Sequence, residues 1–250
     1  MTTRILLLGG TTQARELAAL LATRPQAAVT VSLAGRTRAP LDQPVPMRSG
    51  GFGGAAGLAA YIEEHAIDLV VDATHPYAAA ISHNAAEAVA DTGIDLVALH
   101  RPPWEAREDD LWVTAETVED ALEALGARPR RVLVTLGRNE VRALEAAPRH
   151  RYLVRSIDPI EPPLAVPDAG YIEARGPFEE AQERDLLVHH RIDAIIAKNS
   201  GGEASYGKIA AARALRIEVI LIARPPHPAV DTVGTVEEAL AWIEARYTLG

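Results

Sequence analysis

The chain has 250 residues, 48% of them hydrophobic but only 4% aromatic, with no cysteine and a formal net charge of −9. This composition excludes disulfides, thiolate metal sites and a thiol nucleophile, and it disfavours a wholesale nucleic-acid binder, which would carry a basic field. No apolar run approaches the length of a membrane span, and the first residues lack a secretion signal's basic segment and long apolar run. A cytoplasmic chain with no membrane partner is the expectation.

A short apolar strand, Ile5–Leu8, runs into Gly9-Gly10-Thr11-Thr12 and then into helix-patterned sequence over Gln13–Thr23, with Leu17, Leu20 and Leu21 on one face. The first N–H groups of a helix lack partners and carry partial positive charge, and glycines before them let a phosphate approach. This is not the full G-x-G-x-x-G pattern, because Ala14 and Arg15 follow Gln13. A second strand, Val29–Leu33, ends in Ala34-Gly35-Arg36-Thr37-Arg38. An NAD site would place an acidic residue there to bind the ribose hydroxyls. Guanidinium groups and a hydroxyl stand there instead, which suits a 2′-phosphate and favours NADPH over NADH.

A third strand, Val45–Arg48, leads to Ser49-Gly50-Gly51-Phe52-Gly53-Gly54, where the backbone can lie close to a ligand and Phe52 can pack on its ring. A helix over Ala55–His65 and a strand over Leu69–Asp72 follow, then the loop Ala73-Thr74-His75-Pro76-Tyr77. Ligands in open α/β sheets bind at the carboxyl ends of strands, so Asp72, Thr74, His75 and Tyr77 stand where ligands bind. Helix Ser82–Thr92 and strand Asp95–Leu99 complete this half.

Arg101-Pro102-Pro103-Trp104 interrupts the pattern, because paired prolines break helix and central strand alike. Alternation then restarts with helix Val118–Leu125, strand Val132–Leu136, helix Asn139–Ala146 and strand Tyr152–Arg155. After a proline-rich loop come helix Phe178–His189, strand Ala194–Ala197, helix Tyr206–Leu215, strand Glu218–Ile222 and helix Val236–Arg246. The expected fold is α/β, with two parallel-sheet halves over residues 1-105 and 106-250 and no fixed-period repeat. In the second half the expected strand ends carry Arg138, Arg155-Ser156, Arg175 and Lys198-Asn199-Ser200-Gly201-Gly202, with Tyr206 and Lys208 next; Lys198 and Lys208 are the only lysines. Cations at equivalent strand ends would converge on an anion with several carboxylates or phosphates. There is no Walker loop, no G-x-S-x-G elbow and no zinc spacing, so no metal is expected.

Taken together, Leu8-Gly-Gly-Thr-Thr12, Ala34-Gly-Arg36, Gly50-Gly-Phe-Gly-Gly54, Asp72-Ala-Thr-His-Pro-Tyr-Ala78, Arg101-Pro-Pro-Trp104, Gly176-Pro-Phe178 and Lys198-Asn-Ser-Gly-Gly202 resemble the precorrin-6A reductase family of cobalamin biosynthesis. The resemblance runs nearly end to end, and its most specific parts are His-Pro-Tyr and Lys-Asn-Ser-Gly-Gly. It implies two Rossmann-like domains with an active site in the cleft between them, and terminal strands exchanged between the domains. It implies hydride transfer from NADPH to a polycarboxylate tetrapyrrole, giving precorrin-6B, with handover to the neighbouring pathway methyltransferases.

On that reading Gly9, Gly10, Thr11 and Thr12 take the pyrophosphate, and Gly35, Arg36 and Thr37 the 2′-phosphate. Gly51, Phe52, Gly53, Asp72, Thr74 and His75 line the nicotinamide end, and His75 and Tyr77 are the candidate proton donors. Arg155, Ser156, Lys198, Asn199, Ser200, Gly201, Gly202, Tyr206 and Lys208 hold the substrate. Two other classes compete: a non-catalytic NADPH-sensing regulator, and a cofactor-free cyclase of the uroporphyrinogen-III synthase type. The first would show no turnover, and the second would not need the Gly9–Thr12 loop or Arg36. A short-chain dehydrogenase is disfavoured because Tyr206 and Lys208 are two residues apart rather than four.

Overall fold

The computed structural model describes residues 1–35 and 41–250. The described strands form two six-stranded sheets in which every pairing is parallel. In chain order the first strands are β1 (Thr3–Leu8), β2 (Ala27–Leu33), β3 (Met47–Ser49), β4 (Leu69–Asp72) and β5 (Asp95–Leu99). Then come β6 (Trp112–Ala115), β7 (Arg131–Thr135), β8 (Arg151–Ser156), β9 (Ala169–Glu173), β10 (Ala194–Lys198), β11 (Glu218–Ile222) and β12 (Asp231–Val233). The helices are α1 (Thr12–Leu21), α2 (Ala55–Glu64), α3 (Ala79–Thr92), α4 (Val118–Ala124), α5 (Glu180–His189), α6 (Gly207–Leu215) and α7 (Val236–Glu244), with a 3₁₀ helix at Glu140–Ala146.

The first sheet runs β12-β5-β4-β1-β2-β3 and the second β6-β11-β10-β7-β8-β9. Counted as β1–β6 and β7–β12, the two sets of strands repeat one order, but the sixth strand of each set joins the sheet built by the other. β6 pairs with β11, and β12 pairs with β5. The terminal strands are exchanged.

Two compact units result, one formed by 1–102 with 225–250 and the other by 103–224. The chain passes from unit to unit inside Arg101-Pro102-Pro103 and again inside Arg224-Pro225-Pro226. Residues 225–250, which the sequence pattern grouped with the second half, pack with the first because β12 extends the first sheet and α7 lies against α1.

The alternation within β1 explains why both faces of that sheet are covered. Ile5 and Leu7 join α1 and α7 in one buried cluster, while Leu6 and Leu8 join α2 and α3 in another. On α1 the buried face is Ala14, Leu17, Ala18 and Leu21; Leu20, expected beside them, is 38% exposed. In the second sheet Leu133, Ile195, Ala197 and Leu221 pack with Leu187 of α5 and Ile209 of α6. Register aligns the strand ends: Leu8 pairs with both Ser32 and Asp72, so the loops after β1, β2 and β4 emerge at one edge.

Three strands were not expected from the pattern: β6, β9 and β12. None is a continuous apolar run, and each lies at a sheet edge. The segment expected as a helix at Asn139–Ala146 winds as a 3₁₀ turn, stopped by Pro148. Among the described residues no helix is long and apolar enough to cross a membrane.

Candidate functional site

In the first unit, the turn from β1 into α1 is tight at its start. A Cβ on Gly9 would lie 3.1 Å from Val31 Cγ1, and Gly10 has φ +115°. Thr11 caps α1: its hydroxyl accepts from Ala14 N–H at 3.1 Å and donates to Ala73 O at 2.8 Å. The Thr11 hydroxyl is thereby committed to joining the first loop to the loop after β4, while Thr12 stays exposed. A close-packed glycine, a left-handed glycine and an open helix start fit a dinucleotide's pyrophosphate. Gly35 has φ +69°, and Arg36 and Thr37 lie outside the described residues.

The third loop has an organiser that the sequence reading passed over, Arg48. Its guanidinium donates to Ser32 Oγ at 2.7 Å, Gly50 O at 3.0 Å and Gly51 O at 3.2 Å. It also lies 3.9 Å over the Phe52 ring, which meets Tyr61 edge-on. One face of Phe52 is therefore already covered. The signal for Arg48 was its place, a cation at a strand end directly before the glycine-rich loop. Glycine is needed behind that loop as well, since a Cβ on Gly57 would lie 1.8 Å from Phe52 O.

At the end of β4, Asp72 is 2% exposed and points inward. Its Oδ1 accepts from Thr74 N–H at 3.0 Å and Thr74 Oγ1 at 2.6 Å. Its Oδ2 lies 3.8 Å from His100 Nε2. Asp72 and Thr74 thus shape the loop. His75 Nδ1 accepts from Tyr77 N–H at 3.3 Å, so the neutral His75 ring carries its proton on Nε2. The fold brings the expected loops around Gly9–Thr12 and Asp72–Tyr77 together through Thr11.

In the second unit, Arg155 and Lys208, expected to contact substrate, are 6% and 4% exposed. Both Arg155 Nη atoms are bonded to the Glu183 carboxylate, and Phe178 stacks on the guanidinium at 3.9 Å. Lys208 Nζ donates to Ser205 O at 2.7 Å and sits 4.8 Å over the Trp104 ring. Burial, reinforced by the nearby Arg155 charge, pulls the Lys208 ammonium down to about 7. These two cations are committed inside the unit, and they set its internal field rather than line its surface.

The loop after β10 is more open. Lys198 pairs with Glu140 at 2.6 Å, and the same carboxylate accepts Gly137 N–H at 3.0 Å. Gly201 and Gly202 take φ +65° and +73°, left-handed geometry that glycine adopts at least cost. Asn199 turns its amide to Trp104, accepting from Trp104 N–H at 2.7 Å and donating to Trp104 O at 3.0 Å. Ser156 Oγ donates to Asp158 O at 2.7 Å, and the Tyr206 hydroxyl accepts from Arg213 at 2.7 Å. Among the described residues there is no cluster of three or more potential metal ligands.

The precorrin-6x reductase family model, CbiJ/CobK, matches residues 4–244. The chain belongs to this family. A protein from a Sinorhizobium species named precorrin-6A reductase is 54% identical over 237 residues, spanning 95% of this chain and 91% of its own length. The precorrin-6A reductase of Rhodobacter capsulatus is 46% identical, with 96% of each chain covered. A solved structure of a CobK precorrin-6A reductase superposes with a TM-score of 0.93 at 45% identity, covering 98% of this chain and 97% of that one. Membership makes the chain an oxidoreductase of corrin-ring assembly.

Proposed function

We propose that the chain reduces precorrin-6A to precorrin-6B with NADPH. The observation that carries this reading is the turn Gly9–Thr12 at an open helix start, in a chain 54% identical to a full-length relative named for that reaction. The cofactor supplies a hydride when bound, and the protein supplies placement and field.

The amino end of α1, with Gly9, Gly10 and Thr12, holds the pyrophosphate. Gly35, Arg36 and Thr37 hold the 2′-phosphate; no acidic residue stands directly after β2, over 34–38, to favour a free ribose hydroxyl. Gly51, Phe52, Gly53 and His75 line the nicotinamide end, with Arg48 fixing the glycine loop and Asp72 fixing Thr74. Lys198, Ser200, Gly201 and Gly202 meet the carboxylates of the tetrapyrrole, with Ser156 and Tyr206 beside them. Arg155 contributes from behind as buried charge, Lys208 supports the unit from within through Ser205 O and the Trp104 ring, and Asn199 shapes the loop through Trp104. His75 Nε2 or the Tyr77 hydroxyl delivers the proton. Holding reactants in near-attack geometry lowers a barrier by up to about 7–11 kcal/mol.

The test is anaerobic oxidation of NADPH and of NADH by the protein with metal-free precorrin-6A, followed by absorbance. Turnover with NADPH is expected. Arg36→Ala should then cut the preference for NADPH by about 10- to 100-fold, the worth of a charge-assisted phosphate contact. No oxidation of either cofactor would overturn the reading, and equal losses for both cofactors would remove Arg36 from the 2′-phosphate.

A further inference from the structure

We infer that each exchanged peptide carries a ring donor that positions the signature loop of the unit it enters: His227 for Asp72–Tyr77, and Trp104 for Lys198–Gly202. The two peptides have the same form. Arg101-Pro102-Pro103-Trp104 leads into the second unit, and Arg224-Pro225-Pro226-His227 leads into the first. Both put a nitrogen-bearing aromatic ring directly after paired prolines. Each proline fixes φ and removes a backbone donor, so the ring arrives on a stiff tether.

The two rings then do the same thing. His227 Nε2–H donates to Pro76 O at 2.7 Å, and Trp104 Nε1–H donates to Gly202 O at 2.9 Å. Pro76 lies in the loop after β4 and Gly202 in the loop after β10. These are equivalent strands, each flanked by β1 or β7 on one side and by β5 or β11 on the other. The donors are 151 and 98 residues from their acceptors in sequence, so chain proximity does not explain either contact.

Each contact is backed by a second tie. The His227 ring lies 4.4 Å from His100, whose Nε2 faces the Asp72 carboxylate at 3.8 Å. Asp72 in turn holds Thr74 through its N–H and hydroxyl. On the other side, Asn199 brackets the Trp104 backbone by two hydrogen bonds. A carbonyl bonded to a tethered ring cannot turn without breaking that bond. The exchange thus makes the arrival of the sixth strand a condition for the geometry of the fourth-strand loop. His227 and Trp104 are positioning residues, and their kinetic consequences rest on the proposed reductase reading.

The test uses the full chain with three variants: His227→Ala, His227→Gln and Trp104→Phe. Gln can donate to Pro76 O from a position near that of Nε2, and Phe keeps an aromatic ring without the N–H. Hydrogen exchange of the cofactor-free protein is read by mass spectrometry, together with NADPH affinity, kcat, the KM for precorrin-6A and the isotope effect of 4-deuterated NADPH. His227→Ala should speed exchange in residues 72–78 about tenfold, leave 199–204 unchanged, and lower kcat with an altered isotope effect. His227→Gln should restore both. Trp104→Phe should speed exchange in 199–204 only and raise the KM for precorrin-6A at unchanged NADPH affinity.

Unchanged exchange in both loops, a uniform rise across a unit, or faster loops with unmoved kinetics would each overturn the inference. Failure of the wild-type protein to oxidise NADPH would instead sink the reductase reading, and the exchange data would still decide whether the rings hold the loops.

Discussion

Glu183 balances the most deeply buried guanidinium in the second unit, and its loss should be costly. Glu183→Gln leaves Arg155 buried without a counter-charge, which costs about 3–5 kcal/mol. A urea midpoint unchanged from wild type would refute that role. Lys208 makes a pH-dependent prediction. Its folded value of about 7 lies below its ordinary 10.5, so between those values the unfolded chain binds more protons than the folded one. Its burial penalty is complete below about pH 7 and fades as pH rises toward 10.5. Lys208→Met should therefore raise the melting temperature over wild type more at pH 6 than at pH 9. A constant difference would mean that Lys208 does not titrate in that window.

Single residues were unevenly legible in the sequence. Gly9 and Gly10 announce themselves because a Cβ would crowd Val31 at one and the backbone takes positive φ at the other. Arg155 looked like a ligand because it ends a strand, but its partner Glu183 lies 28 residues away on a helix, and periodicity alone does not orient that helix. Asn199 likewise looked available until Trp104, 95 residues distant, took its amide.

At the level of elements, the exchanged strands are short and depend on the helices that follow them. α4 and α7 begin with the same capping box, Thr117 with Asp120 and Thr235 with Glu238. Both lie in a repeated Thr-Val-Glu-acid-Ala-Leu, at Thr117–Leu122 and Thr235–Leu240. Thr235→Ala should cost about 1 kcal/mol by leaving helix N–H groups unbonded, measured by thermal melting of the whole chain. An unchanged midpoint would show that α7 is held by packing alone. This repeat, with the two Arg-Pro-Pro peptides, is the trace of the exchange in the sequence. The apolar strands β1, β4, β7, β10 and β11 were readable because both faces are covered, so nearly every position is apolar. β6 and β12 were not, since edge strands of three or four residues show no period long enough to recognise.

For the whole molecule, alternation of strand and helix was enough to give two parallel-sheet halves. Which half owned residues 225–250 was set by pairing across the chain, since β12 finds β5 more than 130 residues earlier in sequence. The account's central claim is that the chain moves a hydride from the dihydronicotinamide to the conjugated ring. The most direct measurement is the mass of the reduced tetrapyrrole after anaerobic reaction with NADPH deuterated at the transferred position of C4. The account predicts a product that carries one deuterium at a carbon, retained after exchange into ordinary water. A reduced product without deuterium, or an unreduced ring in the presence of NADPH, would contradict it.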